Sequence, residues 1–161
     1  MSSFKRSIIL VACLALSGCG YSPVFGPGGS AEALRGQIAV DDPIDAEGFA
    51  LVRQLERRLG LPDVPTYRLS ASIAIDEDEL GITLDQTITR FNVVGEVTYT
   101  LTDASTGTAI ASGTASSFTS YSATGTTVAT LSAQRDARER LMVILADQIT
   151  AELLATSSDW R

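Results

Sequence analysis

"TRFNVVGEVTYTLTDASTGTAIASGTASSFTSY", residues 89–121, is the stretch on which the fold turns. In its first half Phe91, Val93, Val97, Tyr99 and Leu101 fall on one side around Gly95. Asn92, Glu96, Thr98 and Thr100 fall on the other. A period of two with one apolar side predicts a strand with one buried face. "DASTG" (103–107) follows, with Asp first and Gly last, which predicts a hairpin turn. The return segment, 108–121, is rich in serine and threonine and weakly apolar. Threonine suits a pleated sheet, but such a strand buries little on either face. It reads as a solvated edge or as a surface that docks on another protein.

Working upstream, "TYRLSASIAIDED" (66–78) alternates in the same way. Tyr67, Leu69, Ala71, Ile73 and Ile75 oppose Arg68, Ser70 and Ser72. Residues 77–86, "EDELGITLDQ", read as the connection to the next strand, with Asp76–Glu79 a solvated acidic turn matching no calcium loop. Before them, 42–60 predicts a helix capped by Asp45, with Glu47 in its first turn and Gly60 then Pro62 at its end. Phe49, Val52, Leu55 and Leu59 form its expected apolar stripe, beside a solvated face bearing Arg53, Glu56, Arg57 and Arg58. "RGQIAVDD" (35–42) predicts a short first strand on Ile38 and Val40.

Downstream, 131–155 lacks proline and glycine and repeats Leu141, Leu145, Ile149 and Leu153 every four residues, widened by Met142 and Ile144. This predicts a long helix with Ser132 as N-cap and a frayed end at 157–161 that leaves Trp160 exposed or docked on a partner. The order β-α-β-β-β-α predicts a two-layer α+β domain over 35–156: a four-stranded, mostly antiparallel sheet covered on one face by two helices. The other face, with Arg68, Ser70, Ser72, Arg90, Asn92, Glu96, Thr98 and Thr100, is expected to be polar and uncovered.

The chain opens with Lys5 and Arg6, then an apolar run too short to span a bilayer, then "LSGC" (16–19). A basic head, a short apolar segment and a small-residue exit predict a secretory signal. Its last four residues look like a lipoprotein cleavage box, so residues 1–18 are expected to be removed and Cys19 to carry lipid. Cys13 would leave with the signal, so no disulfide, thiolate catalyst or thiolate metal site is expected. Residues 19–34, with "GPGG", read as a lipidated tether.

Composition excludes several classes. With 12 basic and 19 acidic side chains the net charge is −7, and it falls by a further two without the signal. That argues against nucleic-acid binding. There is no histidine, so no histidine metal site or histidine-based triad is possible. The serines have no histidine or lysine partner in the mature chain, and "GPGG" lacks the helix and lysine of a phosphate loop. No catalytic residues, metal or cofactor are expected.

Two segments resemble the lipopolysaccharide-assembly lipoprotein family LptE in its alphaproteobacterial form. One is "CGYSPVFG" (19–26); the other spans 120–153 with "SY", "TTVA", "QRDARERL" and "LADQITAEL" in the family's order. "VTYTLTDASTGTAIASG" (97–113) is similar to the family's hairpin. Ser122 departs from the asparagine common in relatives. The resemblance implies an outer-membrane lipoprotein on the periplasmic side that plugs and helps assemble the β-barrel protein LptD, supporting lipopolysaccharide delivery to the outer leaflet. Gly20, where aspartate would mark retention at the inner membrane, agrees with export. Arg68 and Arg90 share one sheet face and are candidate contacts for lipopolysaccharide phosphates, since a guanidinium pairs bidentately with phosphate; the alternative for both is carboxylate pairing with Glu96 or plain solvation. An alternative is an auxiliary lipoprotein of an ABC-type envelope lipid transporter.

Overall fold

The computed structural model describes residue 32 and residues 34–82 and 88–160. Its elements run β1 (Ile38–Val40), α1 (Ala46–Leu59), β2 (Tyr67–Ile82), β3 (Ile88–Asp103), β4 (Ala109–Ser122) and α2 (Thr127–Trp160). The four strands form one sheet in the order β1-β2-β3-β4. β1 runs parallel to β2, and the two remaining pairings are antiparallel, so the expected α+β architecture holds.

The alternation sets the two faces. Leu69, Val93, Val97, Leu101 and Ala115 are buried against the helices. α2 lies on β3 and β4, and α1 packs on α2 and β1. Leu141, Leu145, Ile149 and Leu153 of α2 are wholly buried, as their spacing predicts, together with Met142. Each such side chain contributes about 1.5–3 kcal/mol by leaving water, so this single stripe supplies much of the core. One stretch of α2 is long and apolar enough to cross a membrane by length and composition, but half of it is buried inside the domain.

Close packing at one point requires glycine. A Cβ on Gly95 would lie 2.8 Å from Leu141 Cδ2 and 3.2 Å from Leu145 Cδ1, so the helix approaches the sheet over this residue. Gly113 has a different need. Tyr99 sits over it from the paired position on β3, and a Cβ there would meet the tyrosine ring.

α1 begins and ends where expected. The Asp45 carboxylate accepts the Gly48 N–H at 2.6 Å, and Gly60 closes the helix at φ 80° with its N–H on the Glu56 carbonyl. The buried stripe differs from the predicted one. Leu51, Leu55 and Leu59 face inward with Ala50 and Gln54, whereas Phe49 is exposed beneath Arg53. Leu55 and Leu59 are buried as predicted, and the stripe departs only in its first turns, where Leu51 takes the inward place expected of Phe49 and Val52. The basic face is not simply solvated: Arg53 meets Glu139, and Arg58 grips Asp147 through two hydrogen bonds of 2.9 and 2.8 Å.

Three boundaries move. β2 continues as strand to Ile82, through the stretch read as an acidic turn. α2 starts at Thr127 rather than after Ser132, with Thr126 Oγ1 accepting the Ala129 N–H. At its other end the helix runs through Trp160, where fraying was expected, and the indole meets Tyr67 edge-on at 5.4 Å.

The β3–β4 turn forms as read. Asp103 Oδ1 accepts N–H groups from Ser105 and Thr106 and the hydroxyl of Ser105, and Gly107 takes φ 70°. Beyond the turn, pairing shifts register between Leu101 and Thr102, a bulge at the end of the hairpin. The Ser105 hydroxyl first, then the two backbone N–H groups, hold the Asp103 carboxyl down to about 2. A depressed carboxylate stabilises the fold above its unfolded pKa and loses that contribution as pH falls through the folded one. Asp103→Asn should therefore be less stable than the parent at pH 7, and the gap should close between about pH 4 and 2 in acid titration followed by circular dichroism.

Candidate functional site

The uncovered sheet face is the broadest feature that no element of the described chain occupies. Ser72, Glu96, Thr98, Thr114 and Ser116 point outward there and are exposed. The face is mostly polar, with two apolar spots: Val94 and Phe118 are register partners and stand 37% and 68% exposed, and Leu80, beside Arg90, is 45% exposed. Phe118 sits in the weakly apolar strand, where a lone aromatic among serines gave no clear face from sequence.

Arg68 and Arg90 both lie on this face and are exposed, as alternation predicts. They stand at opposite ends of it. Arg68 opposes Thr102, while Arg90 opposes Leu80. From Arg68 to Leu80 along β2 is about 40 Å at ~3.3 Å per residue. Arg68 is bonded to Asp41 at 3.1 Å. Arg90 makes no ion pair among the described residues. Cys19 lies outside the described residues, as do the tether aromatics Tyr21 and Phe25.

The helix-covered face carries a polar cluster that sequence reading missed. Glu77 accepts from Arg138 Nε and Nη2 at 3.0 and 2.8 Å, from Gln134 at 3.0 Å and from the Tyr121 hydroxyl at 3.1 Å. Arg138 also donates to Glu47 at 3.0 Å, so one guanidinium joins α1, β2 and α2. Burial alone would raise the Glu77 carboxyl, but the bonds from Arg138, Gln134 and Tyr121 outweigh it and hold it below the usual range. The signal was present. Glu77 continues the inward parity of Leu69, Ile73 and Ile75, and an inward carboxylate demands a partner. Tyr121 also stacks on Phe91 with ring centroids 5.2 Å apart.

A second inward contact lies nearer the other end. The Tyr99 hydroxyl donates to Glu152 at 2.7 Å. Burial first, then that carboxylate, push the hydroxyl above its ordinary range. These carboxylates are each occupied by a structural partner. Among the described residues no group of three or more Asp, Glu, Cys or His side chains is placed to hold a metal ion.

The two-layer body, with a polar face that none of the described residues covers, is the fold of a class of small bacterial lipoproteins. A lipoprotein from Caulobacter crescentus CB15 is similar with a TM-score of 0.64 at 23% identity, over 81% of this chain and 96% of that one. Rare lipoprotein B from Shewanella oneidensis is similar at 0.59 and 12% identity, over 76% and 96%. A minor lipoprotein from Acinetobacter baumannii gives 0.54 and 20%, over 74% and 90%. No curated protein matches the sequence itself. The family profile does: residues 36–153 match LptE, described as lipopolysaccharide-assembly, and this chain belongs to that family.

Proposed function

We propose that this protein is anchored to the outer membrane through lipid on Cys19, seats its domain in the lumen of an LptD-type β-barrel and supports lipopolysaccharide transport to the outer leaflet. The observation that carries this reading is the long sheet face that no layer covers among the described residues. Its outward positions are dominated by serine and threonine, with carboxylates and two arginines between them. A barrel lumen is itself polar and wet, and hydroxyl groups hydrogen-bond in either sense without the cost of burying a charge. The protein works by shape and hydrogen bonding, with no covalent step. Arg90, which has no ion-pair partner among the described residues, suits a lipopolysaccharide phosphate better than Arg68, which Asp41 already engages.

Detergent extraction of the tagged full chain from its own membranes tests this. An LptD-type barrel protein should copurify in equal amount, and its absence defeats the reading. Depleting the protein should lower surface lipopolysaccharide. The anchor has its own measurement: Cys19→Ser should abolish incorporation of labelled palmitate, and undiminished labelling would remove Cys19 from the account.

A further inference from the structure

β2 is 16 residues long, but its neighbour β1 has only three. β1 covers Tyr67 to Leu69 and no more. The cause is local. Asp41 places its N–H on the Leu69 carbonyl, then Pro43, which has no N–H, turns the chain away, and Asp45 caps α1. Tyr67 and Leu69 direct their backbone groups toward β1. By alternation Ala71, Ile73, Ile75, Glu77 and Glu79 direct theirs to the same side, where no strand of the described chain pairs with them. That leaves an open edge of about 30 Å at ~3.3 Å per residue.

Beside the edge lies a groove of about 350 Å³, lined on its apolar side by Val40, Leu51, Val52, Ala71 and Ile73. Ile44 stands at its mouth, 97% exposed. Exposed Asp42, Asp76, Asp78 and Glu79 border the edge, and no ion pair engages any of them among the described residues. The backbone thus offers a row of donors and acceptors, the groove takes apolar side chains, and the rim selects positive charge.

We propose that this open edge of β2 takes a basic, extended segment of a partner protein as an added strand. Strand addition draws affinity from main-chain hydrogen bonds and selectivity from alternate side-chain pockets. Here the alternation called for is apolar residues toward the groove and lysine or arginine toward Asp76 and Asp78. A second copy of this chain is the wrong occupant, because its edge residues 71–79 carry four carboxylates and no lysine or arginine, so it adds negative charge to an acidic edge. Acidic residues at an open edge guard against self-pairing, and the same residues leave it attractive to a basic strand. The inference stands apart from the barrel reading, since it rests on the edge and not on the uncovered face.

The test uses the full-length chain in detergent and a synthetic peptide of alternating valine and lysine. The peptide should bind saturably below about 1 mM, and binding should weaken as salt rises. A valine–glutamate peptide should not bind. Complete backbone N-methylation of the basic peptide keeps its charge, removes its donors and should abolish binding. In the protein, Ala71→Pro removes an edge N–H at an exposed position where proline is tolerated, and should cut affinity at least tenfold without changing the circular dichroism spectrum. Should that variant misfold, the N-methylated peptide still decides. Equal binding by the N-methylated or the acidic peptide overturns the proposal, as does no binding by the basic one. A wild-type dimer in sedimentation that Ala71→Pro dissolves would assign the edge to a second copy and overturn it as well.

Discussion

Gly95→Val should lower the stability of this protein by about 2–3 kcal/mol, read as a fall in the urea midpoint at unchanged m. Strand propensity alone predicts the opposite sign. Glycine inside a strand costs roughly 0.5–1 kcal/mol, and valine is among the best strand residues. Packing reverses this. Even the first carbon of the new side chain would lie 2.8 Å from Leu141 Cδ2 and 3.2 Å from Leu145 Cδ1. Both leucines are wholly buried and held by their neighbours along α2, so they yield only by shifting the helix on the sheet. Leu141→Ala alone should cost about 2–4 kcal/mol for the cavity it leaves. In the double variant the two defects complement each other, and the summed loss should fall short of additivity by about 1 kcal/mol or more. Strict additivity, or a neutral Gly95→Val, would mean that the closest approach of helix and sheet is elsewhere.

Arg138→Leu should cost about 2 kcal/mol at pH 7, below the 3–5 kcal/mol of a fully buried broken pair. The discount reflects partial exposure: the side chains of Arg138, Glu47 and Glu77 are 35%, 23% and 20% exposed. Removing one guanidinium takes the cation from two carboxylates at once, and among the described residues only Gln134 and Tyr121 still bond Glu77. The pH profile separates this cause from simple loss of packing. In the parent, Glu77 is held below its ordinary value, so its contribution is complete above the unfolded pKa and is lost as pH falls through the folded one. In the variant, burial opposes the charge with its strongest partner gone, and the carboxyl should rise above its unfolded value. Its contribution is then present below about 4.5 and lost as pH rises. The stability gap between the two proteins should therefore narrow from pH 7 toward pH 4. Glu77→Leu added to Arg138→Leu should recover part of the loss. A gap constant with pH would assign the effect to packing.

Much of this architecture was legible because period carries it. The inward sets on β2 and β3, the Asp103 turn, both ends of α1 and the four-residue repeat of α2 each follow from a spacing or a cap. The failures share another cause. Phe49 looked buried because its spacing to Val52, Leu55 and Leu59 fits a helical stripe, yet Leu51, one residue from Val52, joined Leu55 and Leu59 in the core instead. Asp76–Glu79 looked like a turn because four carboxylates are poor strand formers. Pairing with residues 91–94 on β3 overrides that, since register partners and Arg138 are tertiary facts that a local window does not contain. The uncovered face was legible by subtraction, as was the placing of Arg68 and Arg90 upon it. Their distance apart was not, because alternation gives the face of a residue and not its place along a strand.

The order of the elements has a consequence for how this body comes into being. The apolar face of β2, β3 and β4 is complete once residue 122 has been made, yet nearly everything that lies on it belongs to α2. A chain threaded through a channel N-terminus first therefore presents Leu69, Val93, Val97 and Leu101 without shelter until residues 141–153 arrive. During that interval the sheet is a sticky surface with two open edges. Folding is thus gated by the last element to appear, and a pause late in synthesis or export endangers this protein more than a pause early.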